Sequence, residues 1–299
     1  MAKKHLIFVF LTALISGVSI FLNKYSVSVI DPYIFTFLKN VVVAIALFSL
    51  LFLFSNFNEL RGLDKRQWTN LVLIGLIGGS IPFLLFFKGL SLTSSAMGSF
   101  IHKTIFVYVG VLAFVFLKEK LSKSVFAASV LLLFGNFLVL KFKTLSFNFG
   151  DLLILMATLF WAAENTLSKH VLKELSGNVV AFGRMFFGSI FILLFLAFTN
   201  QLPLIKKVTM PQILWVLFTA LLLFCYVLTW YNGIKSVKIT VATSILLLGS
   251  PITTLLSFIF SDSVIKFVEI LGILLTLAGI SIMVFVVEKS KTQSSFSTA

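Results

Sequence analysis

Residues 151–168 read DLLILMATLFWAAENTLS, a run that is apolar except for its hydroxyls, the opening Asp151 and the pair Glu164-Asn165. Its length matches the roughly 20 residues that an α-helix needs to cross a bilayer. At 1.5 Å per residue Glu164 falls about 18 Å from Leu152, near the middle of a hydrocarbon core about 30 Å thick. A charged group at that depth costs roughly 2.5–3.5 kcal/mol on insertion scales, so its presence asks for a reason.

Outward from this run the same pattern recurs. Apolar stretches of spanning length lie near 5–23, 33–54, 69–87, 94–117, 124–140, 179–199, 212–232, 240–260 and 268–287, separated by polar or turn-forming residues such as Gly62-Leu63-Asp64-Lys65-Arg66. With 59% apolar residues, 11% charged and 36 Phe in 299 residues, no soluble domain of this size hides so much apolar surface. The stretches read as ten transmembrane helices of an all-α, polytopic membrane protein, because only helices satisfy their own backbone hydrogen bonds in lipid in this way. The first run, Leu6–Leu22, is followed by Asn23-Lys24 rather than a small-residue cleavage site, so it reads as the first membrane helix and not a leader.

The net charge of +14 is spread in ones and twos between apolar runs. It signals topology rather than a nucleic-acid footprint, and no nucleic-acid partner is expected. Summed over alternate connections, fourteen Lys and Arg fall on the side of both termini and seven on the other, which places both ends in the cytoplasm of a multi-pass protein. Cys225 is the single cysteine, without a disulfide partner or metal-ligand spacing, and no metal or cofactor is expected. Residues 289–299 are polar and read as a disordered cytoplasmic tail.

An offset near 145 aligns Lys24 with Lys169, Lys39 with Arg184, Gly89 with Gly233, Ala96 with Ala242 and Gly135 with Gly279. The chain therefore divides into two five-helix repeats, 1–143 and 144–288. Five is odd, so the second repeat enters the membrane with the opposite orientation. Inverted repeats of this kind characterise transporters that bind substrate near the midplane.

Certain pieces, in order and spacing, resemble the EamA-type family of the drug/metabolite transporter superfamily. They are Gly17 to Lys24, Pro32 with Lys39, Phe86 to Ser95, Lys118-Glu119-Lys120-Leu121, Gly150-Asp151-Leu152 and Gly249-Ser250-Pro251. The likeness covers nearly the whole chain. It implies ten helices in two repeats and a plasma-membrane carrier of small metabolites such as amino acids. The chain departs from the family in its fourth helix, where His102-Lys103-Thr104-Ile105 stands in place of the usual proline; the ninth-helix Pro251 is kept. Glu119 has only the displaced Asp262 as its counterpart.

The ionisable groups within spans are Lys39, His102, Lys103, Glu164 and Arg184. By helical rise His102 and Lys103 lie about 12 to 14 Å deep, so with Glu164 they fall near the midplane on opposite repeats. Lys103 and Glu164, with His102 nearby, are expected to line a central cavity and bind the charged ends of a zwitterionic or anionic metabolite; the structural alternative is an ion pair locking the repeats together. Trp161, one turn before Glu164, is placed to stack on a planar or cationic substrate, and Asn165 and Tyr226 are further candidates for contact with it. Lys39 and Arg184, about 11 and 8 Å from opposite faces, are expected to snorkel in structural or gating roles. Trp230 and Tyr231 read as an interfacial aromatic belt. Pro82 with Gly75, Gly78 and Gly79, and Pro251 with Gly249, mark bends or close contacts.

The expected function is a secondary carrier, an exporter by preference, with protons as a candidate coupling ion through His102 and Glu164 and a homodimer as a candidate assembly. No nucleotide-binding loop is present for direct ATP coupling. The competing classes are an intramembrane enzyme, for which H-E-x-x-H, paired midplane aspartates and G-x-S-x-G are missing, and a sensor or scaffold, for which no soluble output domain fits.

Overall fold

The computed structural model describes residues 2–53, 57–119, 123–139, 147–260 and 267–296. Every regular element among them is helical: α1 (Ala2–Val29), α2 (Pro32–Leu53), the short α3 (Phe57–Arg61), α4 (Lys65–Ile74), α5 (Ile81–Leu92), α6 (Ser95–Lys103) and α7 (Ile105–Leu117). There follow α8 (Lys123–Val139), α9 (Phe149–Val171), α10 (Gly177–Phe198), α11 (Met210–Ser236), α12 (Ile239–Leu246), α13 (Gly249–Ile259) and α14 (Phe267–Phe296). A π-helical stretch, Gly75–Ser80, joins α4 to α5, and a 3-10 stretch, Leu202–Lys207, precedes α11.

Among the described residues seven stretches are long and apolar enough to cross a membrane: Lys3–Val29, Pro32–Leu53, Lys65–Leu92, Ser95–Leu117, Gly177–Phe198, Met210–Ser236 and Ile239–Ile259. Shorter apolar helices cover Lys123–Leu138 and Ile270–Ile282. The 23-residue α9 has the length for a crossing, but Asp151, Glu164 and Asn165 dilute its apolar character. The surface is inverted relative to a soluble protein: Phe52, Phe116 and Phe198 are 65%, 70% and 84% exposed, whereas Lys39, Lys103 and Glu164 are 1%, 1% and 0% exposed. Apolar outside and charged inside is the arrangement that lipid selects, and the chain is an integral, multi-pass membrane protein.

The expectation of ten helices meets fourteen α-helical pieces among the described residues, because three apolar runs break near their middles and α3 forms in a connection. In the first break the Ile81 N–H reaches back five residues to the Leu76 carbonyl, and Pro82 follows with no N–H to give. In the second, Thr104 sends both its N–H and its hydroxyl to the Ile101 carbonyl, at 3.1 and 2.7 Å. A threonine thus terminates α6 at the place where the resemblance leads one to expect a proline. In the third, Leu247 and Leu248 bond three residues back to Ser244 and Ile245, ahead of Pro251. Pro82 and Pro251 do sit beside bends.

Helix packing repeats when the halves are exchanged. α1 lies along α11 as α9 lies along α5; α1 meets α13 as α9 meets α7; α6 meets α13 as α12 meets α7. The pairs α2·α10 and α8·α14 map onto themselves. The aligned lysines follow the same rule. Lys24 donates to the carbonyls of Leu90 and Ser91 at the end of α5, at 2.9 and 3.2 Å. Lys169 donates to those of Ile234, Lys235 and Val237 at the end of α11, at 2.6, 3.2 and 2.9 Å. A cation at a helix C-terminus satisfies orphan carbonyls and opposes the negative end of the helix dipole.

Other resembling pieces also hold connections. The Glu119 carboxylate accepts from the N–H groups of Ile239 and Thr240, both at 3.3 Å, and from the Thr240 hydroxyl at 3.0 Å, so it caps α12. Asp151 accepts from the Thr93 hydroxyl at 2.7 Å and from the Asn148 N–H at 3.0 Å. Asp262, with Lys120, Lys141, Lys143, Lys266 and the boundary between 143 and 144, lies outside the described residues. α14 stays helical to Phe296, eight residues into the stretch expected to be a disordered tail.

Candidate functional site: a cavity between the repeats

A cavity enclosing about 620 Å³ of unoccupied space, its mouth included, lies between the two halves. The first half contributes Ser16, Ser19, Ile20 and Asn23 of α1, Lys39 of α2, Phe83, Phe86 and Phe87 of α5, His102 of α6 and Ile105 of α7. The second half contributes Trp161 and Asn165 of α9, Arg184 of α10, and Leu223 and Tyr226 of α11.

Lys39 and Arg184 depart from expectation. Neither snorkels to a membrane face; both are buried, 1% and 4% exposed, and line the cavity. The helix faces that carry them pack inward, and aromatic rings enclose both heads. Lys39 Nζ donates to Asn23 Oδ1 at 2.8 Å and lies 5.2 and 5.3 Å from the ring centres of Phe35 and Phe87. The Arg184 guanidinium lies 5.4 Å from the Phe83 centre and 5.8 Å from that of Tyr231. Its Nε donates to the Gly78 carbonyl at 3.2 Å and its Nη1 to the Tyr231 hydroxyl at 3.1 Å.

Lys103 and Glu164 are both buried, but neither lines the cavity and neither pairs with the other. Lys103 Nζ donates to the Ser16 hydroxyl at 2.6 Å and runs past Gly249, where an added Cβ would sit 2.9 Å from Lys103 Cε. Glu164 Oε1 accepts from the Tyr231 hydroxyl at 2.6 Å and from Ser168 Oγ. The cation near Glu164 is Arg184, with Nη1 at 4.0 Å from Oε2. The ion pair expected between the repeats through Lys103 is therefore an Arg184–Glu164 pair within the second repeat, bridged by Tyr231.

The π-helical stretch explains how this core closes. A widened turn leaves carbonyls free of the regular ladder, and here the second half uses one of them. Gly78 O accepts from Trp161 Nε1 at 2.9 Å as well as from Arg184, and Gly79 O accepts from Asn40 Nδ2 at 2.9 Å. Gly78 has to be glycine, since a Cβ there would meet Glu164 Cγ at 2.2 Å.

His102, Trp161, Asn165 and Tyr226 line the cavity. The His102 ring stands edge-on to Trp161 at 4.8 Å and Phe86 at 5.5 Å. Its Nδ1 and the Ser19 hydroxyl are buried without a hydrogen-bond partner, an arrangement that marks a place for water or ligand. Asn165 Oδ1 accepts from Trp230 Nε1 at 2.9 Å, and Trp230 stacks with Tyr226. Trp230 and Tyr231 are 1% and 0% exposed, so they belong to the core and not to an interfacial belt. Sequence reasoning misplaced them by treating them as the end of a helix that continues to Ser236. It also missed Phe83, Phe86 and Phe87, which nothing distinguishes among 36 Phe, and Ser16 and Ser19, whose α-helical spacing from Asn23 was the available signal.

Helical halves of matching packing around a buried, largely apolar cavity with a few polar and charged groups in its wall fit the two-repeat architecture of membrane transporters. The EamA-like transporter family matches this chain twice, over residues 3–141 and 148–285, and the chain belongs to that family, within the drug/metabolite transporter superfamily. Two relatives are proteins of Bacillus subtilis (strain 168). The uncharacterized transporter YyaM is 26% identical over 225 residues, 72% of this chain and 73% of its own. The uncharacterized transporter YetK is 24% identical over 282 residues, 90% of this chain and 83% of its own. A crystal structure of a further protein, 15% identical, superposes with a TM-score of 0.75 over 97% of this chain and 99% of that one, a likeness of fold. These findings point to transport rather than catalysis.

Proposed function

We propose that the protein is a secondary carrier, working as an exporter, for small organic metabolites such as amino acids or related compounds. It crosses the plasma membrane ten times as two inverted five-helix repeats with both termini cytoplasmic, and binds its cargo in the cavity between them. The observation that carries this reading is the cavity wall itself. Buried, hydrogen-bond-capable groups from both halves, Asn23, Lys39 and His102 facing Asn165, Arg184 and Tyr226, meet around one space inside an apolar exterior. Two of the helix breaks, the one ahead of Phe83 and the one between His102 and Ile105, adjoin that space and give the halves places to bend as access alternates. Protons are a candidate coupling ion for such a carrier.

Flux through liposomes containing the purified protein tests it. Amino acids, nucleotide sugars and organic acids are offered with and without a pH gradient. Saturable accumulation and counterflow of at least one class, absent from empty liposomes, is expected. Absence of both for every class overturns the reading.

A further inference from the structure

The cavity's charges do not balance, and that imbalance carries information about the cargo. Among the described residues of its walls and backing, three side chains are basic, Lys39, Lys103 and Arg184, and one is acidic, Glu164. Glu164 already serves Tyr231, Ser168 and Arg184, and it does not face the cavity. Lys39 and Lys103 find only neutral partners, Asn23 and Ser16. Desolvated positive charge without a counter-charge is unfavourable in a membrane interior.

We propose, resting on the carrier reading above, that the cargo is a small organic anion of net negative charge with a flat apolar body, its acid group held by Lys39 and Arg184. The two cations occupy aligned positions of the two repeats and share one aromatic shelf. Phe83 and Phe87 stack at 5.9 Å, with the guanidinium over Phe83 and the ammonium over Phe87. Those ring faces are taken by the protein's own cations and are closed to a cationic cargo. A zwitterion brings an ammonium for which no carboxylate faces the cavity, whereas an anion supplies the missing charge outright. The remaining wall, Phe86, Trp161, Tyr226 and Leu223, suits a planar apolar body, and the unpartnered Ser19 hydroxyl and His102 Nδ1 are left to contact its polar edge.

Calorimetric titration of the purified full chain with benzoate, benzenesulfonate, benzyl alcohol, benzylamine and phenylalanine, ligands alike in body and different in charge, tests the proposal. Both anions are expected to bind about tenfold or more tighter than the other three, the scale of one charge-assisted hydrogen bond. Lys39→Met should cut that preference severalfold, the remainder being held by Arg184. Lys39→Arg, which keeps the charge, should retain the preference and controls for folding. Equal affinities, tighter binding of phenylalanine or benzylamine, or binding of none of the five overturns the proposal. The impermeant benzenesulfonate separates it from the carrier reading. Selective binding without counterflow refutes the carrier and leaves the anion preference standing, while counterflow of phenylalanine alone refutes the anion and leaves the carrier.

Discussion

Tyr231 is the residue on which the buried charges depend. Its hydroxyl donates to Glu164 at 2.6 Å and accepts from Arg184 at 3.1 Å, joining α11 to α9 and α10 in the buried core. Removing it leaves both charges short of one partner. Tyr231→Phe is expected to lower the unfolding free energy by roughly 1–3 kcal/mol, measured by denaturant titration in mixed micelles. A double-mutant cycle with Glu164→Gln should return a coupling of about 0.5–3 kcal/mol; additive losses would mean that the two side chains act independently. The sequence makes Glu164, Arg184 and Lys39 conspicuous because charge within an apolar run is costly. It does not tell which way each points. Rise along a helix gives depth, and facing depends on which helices pack against it; Lys103 and Glu164, expected to line the cavity or else to pair with each other, have the right depth but do neither, and Glu164 stands beside Arg184 instead.

At the scale of helices, close approach and end-capping make separate predictions. Gly79 lies against α10 so tightly that an added Cβ would stand 2.0 Å from the Arg184 carbonyl. Gly79→Ala should force α10 outward and cost about 1–3 kcal/mol or more as overpacking, with loss of flux in liposomes; unchanged stability would contradict the packing described. The lysine clamps make a symmetric prediction. Lys24→Met and Lys169→Met should each destabilise, by about 1–2 kcal/mol, and a large effect of one with none of the other would argue against matching repeats. Outside the spans, Glu174 follows α9 and faces α4. A side-chain hydrogen bond from Gln67, and then those from Arg66, hold its carboxyl below the ordinary value of 4.5. The lower value belongs to the folded state, so this contact contributes above pH 4.5 and is lost as pH falls through the depressed folded value. Because the group is exposed the contribution is small. Melting curves of the wild type and Arg66→Met should differ slightly above that pH and converge below it.

At the scale of the whole molecule, the all-helical membrane fold and its division into two repeats were legible from the apolar runs and from aligned pairs such as Lys24 with Lys169, which prove to make the same clamp. The breaks within three runs were harder to read. Pro82 and Pro251 announced two of them, but Thr104 ends α6 through its hydroxyl, a signal shared with many threonines that leave helices intact. The cavity's phenylalanines carried no signal, unlike Trp161 and Tyr226, since one phenylalanine in a lipid-facing run reads like another. Reporter fusions are expected to place both termini on the cytoplasmic face; opposite faces would remove the inverted halves.

The central claim is that this cavity opens alternately to the two sides of the membrane. Ser19 lines it with an unpartnered hydroxyl, so Ser19→Cys in a Cys225→Ser background places one near-isosteric thiol in the space. Labelling with an impermeant maleimide, in right-side-out and inside-out vesicles, is the direct measurement. The account predicts modification from both sides, slowed from one side when transported cargo is supplied in excess. Modification from a single side under every condition would describe a pocket and not a carrier.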